Sequence, residues 1–172
     1  LKEDLSRRDF TVNALAIGRD GVVYDYFDGI KDLRNKKLRT VGKAKERFRE
    51  DALRLFRACR FIGQLDFMAD KSLVRGMASA FDRVSGLSLE RVREEVEKLL
   101  VSPFAARGLD LLVRTGLNEC SCRIRENGRT EAVKILPELS HLVDLPQQKN
   151  FHKFDGWYHT LAVVNALSLI HI

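Results

Sequence analysis

The sequence predicts the end of a small α+β unit with few strands, followed by a mostly α-helical neck and body, so that the whole is predominantly α. Two observations carry this. Residues 1–42 are short mixed segments punctuated by glycine. From Lys43 onward apolar residues recur with helical spacing. A third observation bears on function: Lys and Arg concentrate where the two patterns meet.

In chain order, RRDFTVNA (7–14) reads as a loop passing into a helical turn. ALAI (14–17) and VVYDYF (22–27) have strand content and are joined through GRDG, a turn sequence. KLRTVG (37–42) is a third candidate strand. Helices are expected near 43–63, 71–82, 89–101, 104–115, 130–142 and 157–170. Asp70 and Ser88 are candidate N-caps. Pro103 separates two helices, and Gly116 follows LDLLVRT as a candidate C-terminal stop. ENGR (126–129) and DLPQQKN (144–150) read as linkers. The expected divisions are 1–42, 43–117 and 118–172. Leu1 is not Met and the last residues fall inside an apolar periodic segment, so a piece of a longer protein is expected.

Hydrophobic residues make up 45% and charged residues 31%, a globular balance, and no apolar run approaches the ~20 residues of a membrane span. Three cysteines give no disulfide framework, and a reducing cytoplasmic setting is expected. Cys120 and Cys122 lack neighbours that would complete a zinc set. Net charge is +6, but residues 31–60 hold twelve Lys or Arg against four Asp or Glu, so the remainder totals −2. Such a block suits a polyanion such as RNA or nucleotide phosphates. By itself it fits a solvated basic face equally.

The informative stretch is FREDALRLFRACRF, 48–61. Asp51, Arg54, Arg57 and Arg60 follow at intervals of three, and on one helix would form a nearly continuous edge. Leu53, Leu55, Phe56, Phe61 and Ile62 would pack that helix. One reading is an exposed edge with Asp51 paired to Arg54, and such pairs contribute little. Yet three arginines against one aspartate leave net charge, which suits phosphate better than self-pairing. The Asp–Arg pair also sets an acceptor beside donors. Cytosine and adenine each offer an exocyclic amine beside a ring-nitrogen acceptor, so Asp51 could accept from the amine while Arg54 donates to the ring nitrogen. Guanine and uracil present the opposite order. Each buried polar group left unpaired costs roughly 1–3 kcal/mol, enough for useful selection.

DLSRRDFTVNALAI, YDYFDGIKDLRNKKLRTVG, RFREDALRLFRACRF and LSLERVREEVEKLLVSPFAARGLDLLVRTGL, in this order over residues 1–117, resemble consecutive motifs of class II tRNA nucleotidyltransferases, the CCA-adding enzymes of the bacterial tRNA nucleotidyltransferase/poly(A) polymerase family. The resemblance implies that Asp51 and Arg54 contact the base of incoming CTP or ATP. It implies that Arg57 and Arg60 line the nucleotide site and that Arg8 also touches the nucleotide. Asp9 and Asn13 would shape the sugar site. Asp25 to Gly29 resembles a hinge motif. LERVREEVEKLL (89–100) would buttress the nucleotide-reading helix: Leu89, Val92, Val96, Leu99 and Leu100 form its buried stripe, and Glu90, Arg91, Arg93 and Glu94 its solvated face. Implied partners are tRNA, CTP and ATP, with Mg²⁺ as cofactor.

The family's metal-binding GG…DxD segment stands upstream of RRD and has no counterpart here, so no catalytic residue is assigned and this piece alone is expected to be inactive. KNFHKFDGWYHTLAVV resembles the entry to an HD-type metal phosphohydrolase domain, with His159 as a first ligand. His152 and Asp155 precede it, and a helix turn with a polar histidine is the simpler reading. Three alternatives stay open: a poly(A) polymerase or a CC- or A-adding relative, a non-catalytic RNA-binding module, and a phosphohydrolase piece. Nucleotide incorporation on truncated tRNAs separates the first, upstream carboxylates the second, and a downstream His-Asp pair the third.

Overall fold

A computed structural model describes residues 1–126, 128–146 and 155–170, the side chains of 168–170 excepted. The N-terminal part starts with α1 (Lys2–Ser6), a loop, and a 3₁₀ turn at Thr11–Asn13. β1 (Leu15–Ile17) and β2 (Val23–Asp25) then form an antiparallel hairpin across the glycine turn, as its sequence predicts. Gly21 takes the left-handed conformation there, with φ 79°. α2 (Gly29–Arg34) follows. Its entry is fixed by Asp25, whose carboxylate accepts the N–H groups of Phe27, Gly29 and Ile30. Burial alone would raise the Asp25 pKa, but these backbone donors, Ile30 foremost, hold it below the usual carboxylate range. Leu5, Ala14 and Val41 form a small core of this part. Buried Asp32 ties it together, accepting from Thr11 Oγ1 (2.6 Å) and Arg39 Nε (2.9 Å).

The third predicted strand is shorter than expected and belongs elsewhere. β3 (Lys37–Leu38) does not join β1–β2 but pairs in parallel with β4 (Met68–Ala69), two residues in the gap between the helices expected at 43–63 and 71–82.

The helix expected over 43–63 is two helices, α3 (Ala44–Glu50) and α4 (Leu53–Leu65). The break falls on Asp51, which is extended at φ −148°, ψ 106°. Its Oδ1 accepts the Leu53 N–H at 3.0 Å, satisfying a donor at the start of α4 that a continuous helix would have bonded to the backbone. α5 (Lys71–Met77) is capped by Asp70, which accepts the Ser72 N–H, and the predicted remainder of this helix is a 3₁₀ segment, Ala78–Gly86. α6 (Leu89–Leu100) and α7 (Ala105–Arg114) match their predicted spans. Gly116 (φ 79°) ends α7 as its position foretold. Ser88 precedes α6 without a side-chain cap bond.

Residues 118–172 depart most from expectation. The helix predicted over 130–142 is instead β6 (Arg129–Lys134) and a 3₁₀ turn (Pro137–Leu142). β6 pairs antiparallel with β5 (Ser121–Glu126), so Glu126 and Arg129, the two ends of the expected linker, are paired strand residues. Alternation of Cys122 and Ile124 with Arg123 and Arg125 is the period-2 signal that was present. α8 (Gly156–Ile170) packs on α7 through buried Trp157, whose indole donates to Asp110 Oδ1 (2.9 Å). None of the described helices is long and apolar enough to cross a membrane.

α4 is the centre of the large core. Leu55, Phe56, Ala58, Cys59 and Ile62 are buried, and α4 packs chiefly against α6 and α7. α4 and α7 approach closely because Gly108 has no side chain: a Cβ there would overlap the Cys59 carbonyl oxygen. Burial pushes the Cys59 thiol up to about 12, so it is an inert packing group.

On the α6 side the apolar seam is interrupted by a carboxylate. Glu95 is buried and sits 3.0 Å from Arg60 Nε and 4.0 Å from Arg57 Nη1. The 3.0 Å contact is an ion pair without hydrogen-bond alignment. Phe61 supports both cations, with its ring 4.6 Å from the Arg60 guanidinium and 5.4 Å from that of Arg57.

Two stability predictions follow from this packing. Gly108→Ala should lower the unfolding free energy by about 1–3 kcal/mol, because its obstacle is backbone that cannot swing aside; an unchanged urea midpoint would contradict the crossing. Glu95→Gln should cost about 3 kcal/mol by leaving Arg60 charged and unpaired beside the core. Glu95→Gln together with Arg60→Met should recover stability, and a double variant no better than the single would sink that explanation.

Candidate functional site

The sequence places RRD before the hairpin and EDxxR at the start of α4. The fold brings them together. Asp9 is buried, and its Oδ2 accepts from Arg57 Nε (2.7 Å) with Arg57 Nη2 at 2.6 Å. Its Oδ1 accepts the Phe10 N–H (2.9 Å) and Asn13 Nδ2 (3.2 Å). Both oxygens are therefore committed. Asp9 acts on the site by orienting Arg57 and Asn13.

Arg54 is fixed in the same manner by oxygens around it. Nη1 donates to the Arg47 carbonyl (3.1 Å) and to Glu50 Oε2 (2.8 Å), and Nη2 donates to the Arg7 carbonyl (3.2 Å). These account for three of its five N–H groups. Glu50, to which the motif alone assigns no contact, thus links α3 to α4.

Between these parts lies an open cleft of about 560 Å³, lined by Arg7, Arg8, Asp9, Asn13, Asp51, Leu53, Arg54, Arg57 and Arg91. Five arginines face two aspartates, a net +3 on the wall. The donors are forked and planar, which suits phosphate and carboxylate oxygens. Asp51 keeps one carboxylate oxygen on the Leu53 N–H, and its other oxygen is 3.9 Å from Arg91 Nη2. An immobile acceptor and an immobile donor group, Asp51 and Arg54, therefore stand three residues apart on one wall.

Of the sequence-predicted residues, Arg8, Asp9, Asn13, Asp51, Arg54 and Arg57 border this cleft. Arg60 does not. It turns inward to Glu95 and Phe61, because α4 rotates by about 100° per residue and three residues per step drift off a straight edge. Asp51 likewise does not share a helix with the arginines, since it forms the break before α4.

Three residues escaped sequence reasoning. Arg91 and Arg7 line the cleft, although helical phase assigns Arg91 to a solvated face and the motif gives Arg7 no role. Glu95 is buried with the apolar stripe of α6, three residues after Val92 and four before Leu99. A carboxylate in phase with a buried stripe was the available signal: it demands cations from the facing helix. His159 is exposed in the first turn of α8, while His152 and His171 fall outside the described residues. Among the described residues no group of three or more His, Cys, Asp or Glu side chains is placed to hold a metal ion.

Residues 1–39 match the poly A polymerase head domain, and residues 66–120 match the probable RNA and SrmB-binding site of polymerase A. The chain is 41% identical to the CCA-adding enzyme of Lactobacillus johnsonii over 177 aligned residues, covering 95% of the chain and 44% of that relative. It is 46% identical over 119 residues to the CCA-adding enzyme of Lactobacillus gasseri, covering 69% of the chain and 30% of the relative. The crystal structure of the Bacillus stearothermophilus CCA-adding enzyme in complex with CTP superposes with a TM-score of 0.66 at 47% identity, over 67% of this chain and 29% of that one. The chain thus spans less than half the length of each of these relatives. The two domain matches in order, and the identity spanning the motifs that build the cleft, show that the chain belongs to the tRNA nucleotidyltransferase/poly(A) polymerase family.

Proposed function

We propose that this chain is the nucleotide-selecting and RNA-binding portion of a cytoplasmic, template-independent nucleotidyltransferase that adds CCA to tRNA 3′ ends from CTP and ATP. The observation that carries the reading is the cleft itself, where a fixed acceptor and a fixed donor share a wall with surplus arginine. The similarity to a CCA-adding enzyme crystallised with CTP supports it.

The roles divide by chemistry. Asp51 accepts the exocyclic amine of cytosine or adenine, and Arg54 donates to the adjacent ring nitrogen. Guanine and uracil would set carbonyl against carboxylate and N–H against guanidinium, leaving polar groups unpaired. Arg8, Arg57, Arg91 and Arg7 surround the phosphates and sugar. Asn13, held by Asp9, borders the sugar. Arg60 supports the wall from behind through Glu95 rather than touching the nucleotide. Residues 1–42 serve as the distal head, 43–117 as the nucleotide-reading and RNA-binding neck, and 118–172 as the body.

Mg²⁺ belongs to the family's chemistry, but the described residues do not fit it. Asp9 is saturated by Arg57, Phe10 and Asn13, and Asp51 is bound to the Leu53 N–H. What this chain supplies is binding, selection and orientation. A poly(A) polymerase, or a relative restricted to CC or A addition, would use the same cleft and differ in the products made.

In the full-length protein, Arg54→Ala should lower C and A addition together by about 10- to 100-fold, the range expected for losing one base contact. Incorporation of CTP and ATP into tRNA lacking its 3′ end reads this directly. Unchanged rate and selectivity would remove Arg54 from the site. Because Arg54 also bridges α3, α4 and Arg7, a melting curve of the same variant separates lost selection from a loosened fold.

A further inference from the structure

The β5–β6 hairpin carries a second basic surface that the cleft does not use. Its register puts Ser121, Arg123 and Arg125 on one face, opposite Lys134, Ala132 and Thr130. Cys122, with Val133 across from it, points the other way and is buried against the core at 1% exposure. The first face is therefore the outward one, and Arg123, Arg125, Thr130 and Lys134 are all exposed. Three of its residues are cations and none is acidic. Lys134 is partnered by Glu119 at 3.0 Å. Arg123 and Arg125 make no ion pair among the described residues, in contrast to Arg54, Arg57, Arg60, Arg93 and Arg114.

The hairpin is anchored to the element that borders the cleft. The Arg123 N–H donates to the Leu87 carbonyl at 2.9 Å, and Ser88 pairs with Arg123 as a parallel bridge. A hollow of about 260 Å³ lies between them, lined by Ser88, Glu90, Arg123, Arg125 and Thr130. Glu90 is its one carboxylate. Glu90 is bound to its own N–H and to the Ser88 hydroxyl, which hold its pKa below the usual range, so it is occupied at the start of α6. The next residue, Arg91, lines the nucleotide cleft. The two basic surfaces thus adjoin across the first turn of α6.

We infer that the Arg123/Arg125 face of the hairpin is a contact surface for the phosphate backbone of the RNA whose 3′ end enters the cleft. The inference rests on the proposed function, since it takes the RNA substrate from there. Exposed arginines without ion-pair partners on a two-stranded face suit phosphate contacts that position a strand without reading its sequence. The hairpin lies just past the RNA-binding match that ends at residue 120, and so extends that region rather than repeating it.

The test is binding of tRNA lacking CCA to the full-length protein across a salt series. Arg123→Ala/Arg125→Ala should weaken binding about tenfold at low salt and make the log–log salt slope shallower by about 2, because two phosphate contacts are lost. The KM for CTP should stay unchanged. Arg123→Lys/Arg125→Lys should restore most of the affinity, which a purely structural role would not require. Arg129→Ala, on the opposite face, should change the slope less. An unaltered affinity and slope in the double alanine variant, with wild-type protein binding tRNA normally, would overturn this inference alone. Wild-type protein that neither binds tRNA nor extends it would overturn both this inference and the function on which it rests.

Discussion

Arg57 stands between two buried carboxylates, and the geometry of the cleft depends on that arrangement. Asp9 comes from the N-terminal part, Arg57 from α4 and Glu95 from α6. Charges removed from water are costly unless paired closely and in good geometry. Here one guanidinium nitrogen pair grips Asp9 at 2.6–2.7 Å, while Arg60 shares Glu95 at 3.0 Å. The apolar core alone would let α4 settle in several rotations about its axis. An arginine that must meet Asp9 on one side and Glu95 on the other fixes the rotation. It thereby fixes where Arg54, one turn earlier, faces.

The break at Asp51 supplies the second constraint. A single helix from 43 to 63 would have carried Asp51 around the axis with its neighbours. Instead the chain is extended for one residue, and the Asp51 side chain takes over a bond to the Leu53 N–H. Its other oxygen then remains at the cleft. Glu50 spans the break from the opposite direction by bonding Arg47 (2.7 Å) and Arg54 (2.8 Å). The acceptor and donor are thus held by separate interactions, so neither has to find its position when a ligand arrives. That preorganisation is the physical basis for asking a pair of side chains to choose between bases.

Much of this was legible in the sequence, for reasons that differ by element. The β1–β2 hairpin, α6, α7 and the stop at Gly116 announce themselves through turn glycines and apolar period, which are local signals. The motifs RRD and EDxxR identified most of the cleft. What stayed hidden is tertiary. β3 and β4 are two residues each and exist only because they meet. The sequence of the β5–β6 hairpin reads as a linker and a helix, since ENGR has linker composition and β6, exposed throughout, lacks the alternation of a half-buried strand. The split at Asp51 was invisible because an aspartate can either ride on a helix or end one, and the choice lies in whether its carboxylate takes the N–H two residues on.

The arginines show the same limit most sharply. Spacing made Arg54, Arg57 and Arg60 equivalent, yet their surroundings grade them. Arg60 is 13% exposed against a buried carboxylate, Arg57 is 30% exposed between two carboxylates, and Arg8 and Arg91 are 55% and 56% exposed with partners at 3.4 and 3.9 Å. Arg60 and Arg57 have carboxylates at close range and little exposure, whereas Arg8 and Arg91 are more exposed and their partners lie farther off. An arginine already neutralised at close range gains little from a phosphate, because the new contact must replace one of equal quality. An arginine whose partner is distant gains the full charge-assisted bond. By that criterion Arg60 belongs to the architecture, Arg57 joins architecture to site, and Arg8 and Arg91 are the groups free to meet a ligand. Arg123 and Arg125 extend the series to its open end, which is why a hairpin with no counterpart in the recognised motifs carries the same kind of argument as the cleft beside it.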